Sequence, residues 1–268
     1  MFNNDRPRPK KSLGQNFLIS QRVVADIIET AKLAVSPPRG GATTREIVLE
    51  VGPGEGILTK ALLDAGAKVI AVEKDERLIS ELEQKFAKEI AGGDLFLVHG
   101  DILNFDIGHF IRNQRLGIRN YKLVANIPYY ITGELLRKFL SAKHQPSDMV
   151  LMLQKEVAER IVTKDGRESL LSLSVKAYGT PEYVRTVKKV CFRPMPSVDS
   201  ALLAIRNISR NFFSDIDEEE FFKIVKQGFA HKRKLLGNNI PDLPDEYKKW
   251  RAEELTLGNW RNLPRKQN

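Results

Sequence analysis

A chain of 268 residues is long enough for one sizeable α/β domain and a smaller appendage. Its 42% hydrophobic and 29% charged residues are ordinary for a folded globular protein, and no apolar run is long enough to span a membrane. A net charge of +9 points to a polyanionic partner, and a single cysteine, Cys191, excludes an intrachain disulfide framework.

In chain order, Val23, Val24, Ile27 and Ile28 recur at helical spacing and predict a helix over residues 21–33. Ser36-Pro37-Pro38-Arg39-Gly40-Gly41 ends it. The short apolar run Glu46 to Val51 reads as a buried strand that stops at glycines, and Ile57 to Ala65 as the helix after it. Lys68 to Glu73 is a second strand, and Glu76 to Glu89 a helix with Leu78, Ile79, Leu82 and Phe86 on one face. Leu95 to Val98 is a third strand, Tyr121 to Asn126 a fourth, Glu134 to Leu140 a helix, and Met149 to Leu153 a fifth strand. Strands alternating with helices imply right-handed crossovers and a mostly parallel sheet. Tyr183 to Val190 and Ala201 to Arg206 follow without an intervening helix, which predicts a hairpin at one sheet edge. An antiparallel strand added to a parallel sheet belongs to the methyltransferase version of the doubly wound fold. The expected architecture is therefore α/β: a Rossmann-like class I methyltransferase sheet, mostly parallel with one antiparallel edge hairpin, and a small all-helical C-terminal domain. The boundaries expected are 1–208, with a basic arm over 1–20, and 209–268, where Phe221, Phe222, Val225 and Phe229 begin an amphipathic helical pattern.

Gly52-Pro53-Gly54-Glu55-Gly56 follows the first strand and opens a helix. Glycine is needed where a side chain would keep the backbone away from a ligand. Glu73 ends the second strand, 21 residues after Gly52, where an acid accepts hydrogen bonds from both ribose hydroxyls of an adenine nucleoside. These features alone leave NAD and S-adenosylmethionine both open. Asp101 after the third strand could accept from the exocyclic amine of a cofactor adenine. The fourth strand ends in Asn126-Ile127-Pro128-Tyr129: a carboxamide, a carbonyl stiffened by proline, and a ring for stacking. That set suits a nucleobase held by its exocyclic amine, and a dehydrogenase has no use for it. His99, His109, His144 and His231 are scattered, so no metal is expected.

In these residues the chain resembles the ribosomal RNA adenine N6,N6-dimethyltransferases, and most of all their bacterial 16S branch. The resemblance runs almost the whole length. It is carried by Lys11-Ser12-Leu13-Gly14-Gln15-Asn16-Phe17-Leu18, Glu50-Val51-Gly52-Pro53-Gly54, Val72-Glu73-Lys74-Asp75, Gly100-Asp101, Asn126 to Tyr129, Leu153 to Ala158, Phe192 to Ala201, and Phe229 to Asn239. It departs from the family at Gly133, where many relatives have Ser or Thr, and at Arg167-Glu168-Ser169-Leu170. The resemblance implies S-adenosylmethionine as cofactor, closed over by Asn16 and Leu18. Gly52 and Gly54 would meet its methionine end, Glu73 with Lys74 its ribose, and Asp101 with Ile102 its adenine. Asn126 would border both the sulfonium methyl and the target amine, with Ile127, Pro128 and Tyr129 completing the catalytic set.

The implied activity is methylation at N6 of two adjacent adenines in the 3'-terminal hairpin of 16S rRNA during small-subunit biogenesis. The alternatives are a 23S rRNA adenine methyltransferase conferring macrolide-type resistance, a catalytically silent RNA-binding relative, and, more remotely, an NAD-linked dehydrogenase. RNA phosphates would be met by Lys10, Lys11, Arg193, Lys232, Arg233 and Lys234. The basic, proline-containing start does not read as a secretory signal. The chain is expected to be a cytoplasmic monomer, with no membrane partner.

Overall fold

Apolar runs with no polar face need cover on both sides, and a central sheet flanked by helices supplies it. The structure is a computed structural model that describes residues 9–10, 13–33, 45–114, 116, 120–231, 233–240 and 242–263. After a two-residue strand β1 (Phe17–Leu18) and helix α1 (Gln21–Ala31), β2 (Ile47–Val51) leads into α2 (Ile57–Asp64). β3 (Lys68–Glu73) leads into α3 (Glu76–Lys85) and α4 (Ala87–Ala91), and β4 (Leu95–His99) into α5 (Ile107–Asn113). β5 (Lys122–Asn126) leads into α6 (Thr132–Leu140), and β6 (Asp148–Gln154) into α7 (Lys155–Ile161). Then come α8 (Leu170–Lys176), β7 (Thr180–Val187), the short β8 (Phe192–Arg193) and β9 (Ser200–Arg206).

One sheet has the order β4-β3-β2-β5-β6-β9-β7. β2 pairs in parallel with β3 and β5, β3 with β4, and β5 with β6. The last strand in sequence, β9, is inserted between β6 and β7. This is the methyltransferase arrangement expected from the sequence, in a mixed and mostly parallel sheet. β7 and β9 are neighbours as expected, but β8 intervenes in the chain and pairs antiparallel with β1, Leu18 opposite Phe192. Alternation sorts the sheet's faces. Val48, Val69, Ala71, Val124, Val150, Met152 and Leu202 pack with Val24 and Ile27 of α1, Leu58 and Leu62 of α2, and Leu82 of α3. Their neighbours Leu49, Ile70, Leu123 and Leu151 point the other way and are equally buried.

The helices start where side chains cap them. Ser20 accepts from the Val23 N–H ahead of α1, and Asp75 from the Arg77 N–H ahead of α3. The helix expected over residues 76–89 is interrupted at Phe86. There the backbone leaves helical angles, and the buried ring fills the space over Gly56.

The chain divides into two compact units. One takes residues up to Lys155 together with Tyr183–Ala204, the other Glu156–Glu182 together with residues from Ile205. The second unit therefore begins well before residue 209. Leu173, in the middle of α8, and Ala177, just after it, belong to its core with Phe221 and Val225 of α9 (Glu218–Gly228) and Trp260 of α12 (Leu257–Asn262). Short helices α10 (Leu236–Asn239) and α11 (Asp245–Lys248) connect α9 to α12. Ser169 and Ser172 form a capping box at the start of α8, a structural role for the variant segment around residue 169.

Candidate functional site

Parallel strands that share a direction bring their carboxyl ends to one edge, and the crevice opens where connections diverge. β2 has β3 on one side and β5 on the other, so Gly52, Glu73, Asp101 and Asn126, distant in sequence, collect at that edge.

In the cofactor half, Gly52 has φ +67 and donates its N–H to the Val72 carbonyl at 2.9 Å. A Cβ built there meets nothing within 4 Å, so the backbone borders open space. Gly54 has φ +58, and its N–H donates to Glu73 Oε2 at 3.1 Å. Glu73 Oε1 accepts the Asp75 N–H at 2.8 Å. These amides fix the carboxylate at the cavity wall, where its oxygens can accept from a ligand's hydroxyls. Burial pushes the Glu73 pKa up, opposed by the amides. Asp101 Oδ1 accepts the Leu103 N–H at 2.9 Å, and Oδ2 accepts from the Lys74 ammonium at 2.8 Å. Lys74 holds the Asp101 carboxyl below its usual range. Ile102 is buried beside it.

In the acceptor half, Asn126 ends β5, and its Nδ2 donates to the Asn16 carbonyl at 2.9 Å. A carbonyl only accepts, so the amide can face it in one orientation, and Oδ1 is turned the other way. The Ile127 N–H donates to the Met152 carbonyl at 3.0 Å, which ties the turn to β6. Pro128 follows with φ −56, and Tyr129 begins a single turn of 3-10 helix. The half-buried Tyr129 shares a hydrogen bond with the buried Ser200 hydroxyl at 2.8 Å, and burial raises its pKa.

Both halves line one cavity of about 230 Å³, far more than a water requires. Asn16, Gly52, Gly54, Glu73, Lys74, Asp101, Ile102 and Asn126 to Tyr129 all border it. Leu18 does not: its side chain, 5% exposed, packs in the core under β8. Gln15, Phe17, Tyr130, Glu134 and Phe192 also line the cavity and were not singled out from the sequence. Gln15, Phe17 and Phe192 lay inside the quoted motifs, but only folding shows which way each points. Lys10 pairs with Asp75 at 3.5 Å, and Arg193, Arg233 and Lys234 are exposed. Lys11 and Lys232 lie outside the described residues. Among the described residues no group of three or more His, Cys, Asp and Glu could hold a metal ion, and no helix is long and apolar enough to cross a membrane.

A class I methyltransferase sheet with an adenosyl-type cradle on one wall and an amide-carbonyl-ring acceptor on the other defines an S-adenosylmethionine-dependent methyltransferase of an amino group. More narrowly, the chain belongs to the ribosomal RNA adenine dimethylase family, whose family model matches residues 6–262. The ribosomal RNA small subunit methyltransferase A of Dehalococcoides mccartyi is 42% identical over 233 residues, 87% of this chain and 75% of that protein. The protein of that name from Lactiplantibacillus plantarum is 38% identical over 236 residues, 87% of this chain and 76% of its own. Among solved structures, a dimethyladenosine transferase from Plasmodium falciparum superposes with TM-score 0.73 at 24% identity, covering 91% of this chain and 94% of that one. The 23S rRNA methyltransferase ErmE gives 0.72 at 24% identity, covering 91% and 96%. These two show the shared fold. The open space at Gly52 and the Glu73 carboxylate on the cavity wall fit the family's cofactor, S-adenosylmethionine.

Proposed function

We propose that the protein methylates N6 of two adjacent adenines in the 3'-terminal hairpin of 16S rRNA, during assembly of the small ribosomal subunit. The observation that carries this reading is the outward-turned Oδ1 of Asn126, set by the Asn16 carbonyl at 2.9 Å. The names of the sequence relatives favour the small subunit over the 23S alternative.

S-adenosylmethionine, when bound, supplies an electrophilic methyl group. The difficulty lies in the nucleophile, because the adenine N6 lone pair is delocalised into the ring. Asn126 Oδ1 and the Ile127 carbonyl accept the N6 hydrogens and favour a more tetrahedral amine, whose lone pair faces the cofactor wall. The Ile127 carbonyl is placed by the hydrogen bond to β6 behind it and the fixed φ of Pro128 ahead. Oriented dipoles of this kind stabilise the positive charge that develops on N6. Tyr129 stacks on the extruded base, held by its hydroxyl to Ser200; such a contact contributes about 1–3 kcal/mol. No general base is required, since the methylated N6 is acidic enough to pass its proton to water.

Glu73, which ends its strand, and Asp101, which follows the next, bind and orient the nucleoside end of the cofactor in this reading. Leu18 acts from beneath, through the packing of β1. Lys10, Lys11, Arg193, Lys232, Arg233 and Lys234 give salt-dependent grip on RNA phosphates, and the helical C-terminal region contributes to that grip. The protein works as a monomer in the cytoplasm. The test is incubation of purified small and large ribosomal subunits with methyl-labelled cofactor, followed by mapping of the labelled base. Label at adjacent adenines of 16S rRNA supports the reading, and label in 23S rRNA alone overturns it.

A further inference from the structure

Two neighbouring residues of the segment before β1 border the cavity, one bonded to Asp75 behind the cofactor half and the other to Asn126 of the acceptor half. Gln15 Nε2 donates to Asp75 Oδ2 at 2.8 Å, and Gln15 Oε1 accepts the Lys10 N–H at 2.6 Å. The next carbonyl along the chain, that of Asn16, accepts from Asn126. The Gln15 amide is thereby fixed at both of its ends, donor to a carboxylate and acceptor to a backbone N–H.

Asp75 is an unusual anchor. Its side chain is fully buried yet takes two hydrogen bonds from the Arg77 guanidinium, Nε at 2.9 Å and the terminal nitrogen at 2.6 Å. It caps α3, and its own N–H holds Glu73. Arg77, with the other donors, keeps its carboxyl well below the usual carboxylate range. Its carboxylate is thus held behind the cofactor wall, where Gln15 and Lys10 both reach it from the segment before β1.

We propose that Gln15 is a positioning residue for methyl transfer: its bond to Asp75 fixes the Asn16 carbonyl, and that carbonyl holds the Asn126 amide with Oδ1 toward the target amine. The chain of contacts runs Asp75, Gln15, Asn16, Asn126, and makes acceptor readiness depend on a residue that also orients Glu73. The inference rests on the reading that Asn126 accepts from N6. Gln15 touches neither reacting atom in this scheme.

The test uses the full-length protein, methyl-labelled cofactor and small ribosomal subunits, with binding of S-adenosylhomocysteine measured separately. Gln15→Leu keeps the bulk and removes both hydrogen bonds. It is expected to lower kcat by roughly 10²-fold, the scale of a small misplacement of a reacting group, while the Kd for S-adenosylhomocysteine changes by less than about threefold. Gln15→Glu adds a pH readout that a merely structural role would not give. The charged groups facing position 15 are Asp75, Lys10 and Arg77. A carboxylate there repels Asp75, whereas a protonated carboxyl donates to it. The kcat of Gln15→Glu relative to wild type is therefore expected to rise as pH falls from about 8 to about 5. Wild-type kcat in Gln15→Leu, a loss confined to cofactor affinity, or a pH-independent ratio for Gln15→Glu would each overturn the proposal. If wild type itself leaves small subunits unlabelled, it is the proposed function that fails.

Discussion

The side-chain nitrogen of Asn126 lies 2.9 Å from the main-chain oxygen of Asn16, 110 residues earlier in the chain. One weak contact therefore decides which end of the amide faces the substrate. Asn126→Ala removes the acceptor for N6 and should lower kcat by about 10²–10³-fold with cofactor affinity little changed. Asn126→Asp is expected to be impaired as well, because a carboxylate would set an acceptor against the Asn16 carbonyl. Single-turnover methylation and calorimetric binding of S-adenosylhomocysteine separate the two effects. Near-normal turnover in Asn126→Ala would sink the mechanism.

The glycines of the first turn make opposite demands. Gly52 and Gly56 both have positive φ, +67 and +76, so alanine at either costs about 1–2 kcal/mol of backbone strain. At Gly52 the added Cβ meets nothing within 4 Å, whereas at Gly56 it comes within 2.6 Å of the Phe86 ring. Gly52→Ala should weaken cofactor binding with a modest loss of stability. Gly56→Ala adds about 1–3 kcal/mol of overpacking and should chiefly lower Tm. Thermal melts with and without S-adenosylhomocysteine distinguish them, and equal behaviour would contradict the open cradle at Gly52.

Glu50 carries a pH signature. It sits on β2 with 1% exposure, paired in register with Ala71 and Val124. Burial pushes its pKa from 4.5 up to about 8. The folded chain then holds a proton that the unfolded chain has lost, so stability is full below 4.5 and falls as pH rises toward about 8. Tm should fall by several degrees across that window at this position's expense. Glu50→Gln, which stays neutral, should flatten the slope and be the more stable protein at the alkaline end. A steeper slope in the variant would refute the assignment.

Phosphate contacts release counterions, and their number is read from salt dependence. Arg233 and Lys234 are exposed and lie in the basic stretch before α10. Replacing either with alanine should reduce the slope of log affinity against log salt by roughly 0.7–0.9, according to whether the RNA there is single- or double-stranded. Lys223 is a useful contrast, since it is already paired with Glu220 at 2.8 Å on α9. Filter binding of 16S rRNA across a salt series checks both, and an unchanged slope in Arg233→Ala and Lys234→Ala would remove them from the footprint.

Much of the fold was legible in the amino-acid sequence because its signals are local. The run Lys68 to Glu73 is a strand over just those residues, and Glu73, Asp101 and Asn126 could be placed at strand ends by counting along the alternation. Repeated βα units then put those ends on one edge, since parallel crossovers leave little choice. The helix expected over residues 76–89 failed at Phe86, because burial of one ring against Gly56 outweighed helix propensity. Residues 156–182 group with the C-terminal core because Leu173 and Ala177 find their cover there, which no local pattern announces.

The sequence alone determined the chemistry on offer: glycines for a close backbone approach, an acid for a ribose, an amide and a ring for a base. Folding alone decided which of these groups meet and which way they face. Leu18 went into the core, Gln15 came to the cavity wall on Asp75, and the Asn126 amide was turned by a carbonyl far away in the chain. The reason is physical: the orientation of a hydrogen-bonding group is set by whatever partner lies within about 3 Å, and for these residues that partner is brought by the sheet, not by the neighbouring sequence.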